Sequence, residues 1–93
     1  MNRKFTQWLT AWSQQEVPAI DAAIVTLVGL HVARGHSALG VAQIAGLTRS
    51  SARVVRRALT EAQHLGFLHV VRESRGGKGR TWALTLPPLP QGA

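Results

Sequence analysis

Apolar positions follow a helical period over most of this chain and an alternating period near its end. Phe5, Trp8, Leu9 and Trp12 recur at i, i+3, i+4 and i+7, which predicts a short amphipathic helix from about Arg3 to Gln14. Two tryptophans on one stripe need a large covering surface. Either the domain core or a second subunit supplies it, and the spacing leaves both open. Pro18 suits the first turn of a second helix, and Asp21 complements that helix's positive end. Ile20, Ile24, Leu27 and His31 share one of its faces, while Val25 and Val32 lie on another. A helix apolar on more than one side is buried on more than one side. Trp8, Trp12, Val25 and Val32 are therefore the candidate contact of a homodimer, and Gly35 is the expected stop.

Ser37 to Ala45 predicts a short helix ended by Gly46. A longer helix follows, from about Arg49 to Leu65, with Ala52, Val55, Leu59 and Ala62 as its core stripe and Ala58 and Leu65 at the edges. Thr48 is a good N-cap for it, and a second alignment starts the helix about one turn later, at Ser51. Beyond Gly66 and Phe67 the period changes. Leu68 to Glu73 and Thr81 to Leu86 read as strands, with Trp82, Leu84 and Leu86 alternating with Thr81, Ala83 and Thr85. The segment between them, Ser74-Arg75-Gly76-Gly77-Lys78-Gly79-Arg80, is a glycine-rich basic hairpin tip. Pro87, Pro88 and Pro90 oppose further pairing. The expected architecture is mainly α with a small β-hairpin. A helical extension spans 1–17, one domain 18–86, and a proline-rich tail 87–93.

A chain of 93 residues has room for one domain. The lack of cysteine removes disulfides and fits a reducing compartment. No signal-type apolar run follows the basic N-terminus. The apolar stretch from Ile20 to Ala33 is interrupted by Asp21, Thr26, Gly29 and His31, too short and mixed for a membrane span. A soluble, cytoplasmic protein is expected. Charge narrows the partner. Eleven Lys and Arg oppose four Asp and Glu, a net +7. Most of the excess lies in Arg49, Arg53, Arg56, Arg57, Arg72, Arg75, Lys78 and Arg80, opposed in that stretch by Glu61 and Glu73 alone. So concentrated a field suits a polyanion such as nucleic acid.

Between Val41 and Ala52 the chain resembles the helix-turn-helix of bacterial transcription regulators. The family pattern is an Ala, three residues, a Gly, an aliphatic residue, then Ser or Thr, and Ala42, Gly46, Leu47 and Thr48 match it. Leu65-Gly66-Phe67-Leu68 looks like the point where winged helix proteins pass from the recognition helix into the wing. The resemblance covers about residues 37–86. It implies a winged helix-turn-helix fold and binding to double-stranded DNA.

The residues support that reading on their own. Opposite the stripe Ala52, Val55, Leu59 and Ala62 lie Ser50, Arg53, Arg57, Thr60 and His64, flanked by Arg49 and Arg56. An α-helix fits the major groove, where arginine can bond two acceptors of one guanine. Ser50 and Arg53 are the candidates for base edges. Arg49, Arg56 and Arg57 would divide between bases and phosphates. Arg75, Lys78 and Arg80 on the hairpin would meet the backbone or a narrow minor groove. The hairpin is no nucleotide-binding loop, because Gly77-Lys78-Gly79-Arg80-Thr81 displaces the hydroxyl and precedes a strand rather than a helix.

Catalysis is not expected. Glu16, Asp21, Glu61 and Glu73 make no acid/base pair, and no cysteine or nucleophile elbow exists. His31, His36, His64 and His69 lack metal-site spacing, so neither metal nor cofactor is expected. No small-molecule site is legible. The expected function is a bacterial, plasmid or phage transcriptional regulator, reading two half-sites as a homodimer. One alternative is a replication, partition or conjugation factor of a plasmid or phage. Another is a winged helix used to bind protein or RNA.

Overall fold

The computed structural model describes residues 2–73 and 80–87. Among these residues four helices, α1 (Arg3–Ser13), α2 (Ala19–Ala33), α3 (Val41–Thr48) and α4 (Ala52–His64), pack with three short strands, β1 (Ala38–Leu39), β2 (Leu68–Arg72) and β3 (Arg80–Leu84). The protein is thus mainly helical, with a small antiparallel sheet in the order β1-β3-β2. The hairpin expected from the alternating period is present as β2 and β3. The third strand was not expected. Ala38 and Leu39 lie inside the segment read as a helix from Ser37, but they pair with Thr81 and Arg80. Gly40 then caps α3, which starts at Val41.

One core joins all the elements. It contains Phe5, Trp8 and Trp12 of α1, Ile24, Val25 and Val28 of α2, Leu39, Ile44, and Val55, Ala58, Leu59 and Ala62 of α4. Phe67, Leu68 and Trp82 complete it from the sheet side. This places the candidate dimer residues. Trp8, Trp12 and Val25 are buried within the chain's own core, so they offer no surface to a second subunit. Val32 is half-buried and packs against the same core. The two indoles also satisfy their polar atoms internally. Trp8 Nε1 donates to the Phe67 carbonyl at 2.8 Å, and Trp12 Nε1 donates to the Ala22 carbonyl at 3.2 Å. Phe67 meets both rings edge-on, its centroid 5.2 Å from that of Trp12 and 6.4 Å from that of Trp8, a favourable aromatic geometry. The segment 1–17 therefore contributes its aromatic face to the common core.

Helix ends follow the local chemistry. Gly66 takes φ +87°, and the Phe67 and Gly66 amides bond the carbonyls of Ala62 and Gln63. That paired arrangement satisfies carbonyls at the end of α4 and aims the chain into β2. Gly35 closes α2 the same way, with His36 and Gly35 bonding His31 and Val32. In β2 the register against β3 slips by one residue between Val70 and Arg72. Val71 is the extra residue and its side chain is exposed. Such a bulge bends and twists the strand, here just before the hairpin tip.

Candidate nucleic-acid interface

Ser51, not Thr48, starts α4. Its hydroxyl accepts the Val54 amide at 3.2 Å, the bond expected of an N-cap. Thr48 is the last residue of α3, and its hydroxyl donates back to the Ile44 carbonyl at 2.8 Å. The reversal between the helices falls at Arg49, whose φ is +54°, a region uncommon for a side chain other than Gly, Asn or Asp. The Ser50 amide then bonds the Ala45 carbonyl at 3.1 Å.

This start moves two candidate residues off α4. Arg49 is exposed at the cap of α3. Ser50 is half-buried in the turn, and its hydroxyl donates to the Thr48 carbonyl at 3.3 Å. Ser50 therefore occupies no position on the helix face on which it was expected to meet a base. Its neighbour Ser51 is exposed beside the first turn.

The rest of the face forms as expected. Val55, Ala58, Leu59 and Ala62 are buried, while Arg53, Arg56, Arg57, Thr60 and His64 are exposed. Ala52 is half-buried at the edge. One exposed acid, Glu61, shares the helix. Among the described residues Arg53 and Arg56 have no acidic partner within salt-bridge distance. Both side chains are exposed, so their guanidinium groups are open to a ligand.

Arg57 differs from them. Its Nη2 lies 2.6 Å from Asp21 Oδ1, and its Nε donates to Oδ2 at 3.3 Å. The Asp21 side chain is 3% exposed and that of Arg57 56%. A carboxylate buried to this degree requires a charged partner, and Arg57 supplies two donors in the fork geometry that arginine favours. The hydrogen bond to Asp21, then its charge, raises the Arg57 pKa above its ordinary value, with desolvation opposing. The link crosses 36 residues of sequence. No local spacing signals it, and the helix-end role expected of Asp21 misses it.

At the hairpin, Arg80 Nε donates to Glu73 Oε2 at 3.1 Å. Both side chains are largely exposed, so the contact contributes little to stability. It partly offsets the charge of Arg80 at the base of the hairpin. Arg75 and Lys78 lie outside the described residues.

Other chemistry is sparse. Among the described residues no group of three His, Cys, Asp or Glu could hold a metal ion, and no helix is long and apolar enough to cross a membrane. An open hollow of about 650 Å³ lies between α1, the end of α2 and β3, walled by Phe5, Trp8, Val32 and Trp82, with Lys4 at its rim. None of its lining residues comes from α4. No protein-family model, no curated protein and no solved structure matches this chain.

Proposed function

We propose that this protein is a winged helix-turn-helix, sequence-specific binder of double-stranded DNA, a regulator that performs no chemistry itself. In this reading α4 enters the major groove and the β2–β3 hairpin lies along the backbone or minor groove. The observation that carries it is the exposed face of α4. Arg53, Arg56 and Arg57 stand with Thr60 opposite a fully apolar stripe, on a helix packed against α2 and α3. Exposed helices usually interleave acids with bases, and the single Glu61 departs from that habit. The element order supports the wing assignment. Helix, strand, helix, turn, helix and hairpin follow one another from α2 to β3, with β1 completing the sheet against β3.

Base reading falls chiefly to Arg53, in the first turn of α4, and Arg56 beside it suits a phosphate. Arg49, at the cap of α3, and Arg80, on the hairpin, suit phosphates.

The test is selection of bound duplexes from a random pool at two salt concentrations, followed by sequencing. A recovered motif with salt-dependent affinity is the expected result. A palindrome would indicate two copies on two half-sites, and a single short motif one copy. Arg53→Ala should weaken binding to the selected duplex about tenfold or more and relax preference at one position, with unchanged helicity. Absence of salt-sensitive binding to any duplex at low ionic strength would sink the reading and point to protein or RNA.

A further inference from the structure

We propose that Asp21 is a positioning residue for DNA binding: its buried carboxylate holds Arg57 so that the free edge of the guanidinium meets a backbone phosphate. The proposal rests on the DNA-binding reading above and assigns a role within it to a residue of α2, outside the exposed face of α4.

The geometry carries it. Arginine has two usable edges, a side-on pair formed by Nε and Nη2 and an end-on pair formed by Nη1 and Nη2. Asp21 takes the side-on pair, through Nε and Nη2. Of the five N–H donors, the two of Nη1 and the second of Nη2 are left, and the side chain remains 56% exposed. Such an edge fits two oxygens of a phosphodiester. The tether also argues for phosphate over base. Arg57 is drawn toward α2 and lies to one side of Arg53, Thr60 and His64 on the helix circumference. It is also farther from the start of α4 than Arg53 is. A retracted, fixed guanidinium suits the groove rim, and a freely rotating one suits its floor.

Burial of Asp21 has no obvious return in stability alone, because a buried ion pair is often no better than an apolar pair of similar volume. Fixing an arginine before binding removes part of the side-chain ordering that association otherwise requires.

The test is titration of fluorescent duplex DNA with the full chain, using the selected site and a scrambled duplex, at low salt. Asp21→Asn makes the protein more positive, so charge alone predicts tighter binding. Positioning predicts the opposite sign, a loss of about tenfold of the same factor on both duplexes. Arg57→Lys keeps the charge but loses the fork, and should show a similar loss. The double variant should bind no more weakly than Arg57→Lys alone. Circular dichroism establishes that each variant is folded, and if Asp21→Asn is not, Arg57→Lys decides. Binding by folded Asp21→Asn or by Arg57→Lys as tight as wild type overturns the proposal. A loss confined to the selected site overturns the phosphate assignment. If Arg53→Ala weakens binding while these variants do not, only the role of Asp21 falls. If the wild-type chain binds no duplex at all, the DNA-binding reading falls with it.

Discussion

Gly29 sits within α2, where glycine costs about 1 kcal/mol relative to alanine, and Trp8 accounts for its presence. A Cβ at position 29 would fall on the six-membered ring of the Trp8 indole. That ring is itself buried, stacked between Phe5 and Trp12 and tied through Nε1 to Phe67, so it has little room to yield. Gly29→Ala should therefore lose more from overpacking than it gains in helix propensity. The expected net loss is about 1–3 kcal/mol, read as a lower denaturation midpoint at unchanged slope. A variant more stable than wild type would mean that the α1–α2 contact is loose. The same residues mark a limit of what the sequence carries. The stripe Phe5, Trp8, Leu9, Trp12 is legible as a helix face because its period is local. What covers that face is not, because Phe67 and Gly29 are distant in sequence and neither is patterned to match it. A dimer contact and an internal core produce the same stripe.

Among the elements, the helices were legible within a residue or two where their apolar period was long, as in α1, α2 and the end of α4. The two failures have physical causes. β1 is two residues long, too short for any alternation, and exists only through its pairing with β3 and the bond from the Trp82 amide to the Ser37 carbonyl at 2.9 Å. The start of α4 was ambiguous because Thr48 and Ser51 are both good caps. The choice is made by Arg49, whose left-handed backbone ends α3 after Thr48. A paired measurement checks this. Ser51→Ala removes the acceptor of the Val54 amide and should cost about 1 kcal/mol. Thr48→Ala should be close to neutral, because it removes only a back-bond to Ile44 and introduces a better helix former. Equal losses, or a larger one at Thr48, would place the start of α4 a turn earlier and return Ser50 to the helix face.

For the whole molecule the governing quantity is how many of its cations are free to meet phosphate. The total of eleven Lys and Arg overstates it, since Arg57 is committed on one edge to Asp21 and Arg80 is paired with Glu73. Arg49, Arg53 and Arg56 carry exposed guanidinium groups with no acid within salt-bridge distance among the described residues. Each phosphate neutralised releases counterions, so log K falls with log salt at a slope of about −0.9 per contact. If Arg49, Arg56, Arg57 and Arg80 each engage one phosphate, the slope is about −3.6. Affinity should then fall roughly a hundredfold between about 50 and about 200 mM salt. Contacts from Arg75 and Lys78 would steepen it further. Arg56→Ala should flatten the slope by about 1 with similar effect on every sequence. Arg53→Ala should leave the slope nearly intact and weaken the preferred site most, because a base contact carries sequence information and a phosphate contact does not. The two variants change the formal charge of the same helix face equally. If they prove indistinguishable in slope and in specificity, the face acts only as a charged surface, and sequence reading by α4 is excluded even if DNA binding stands.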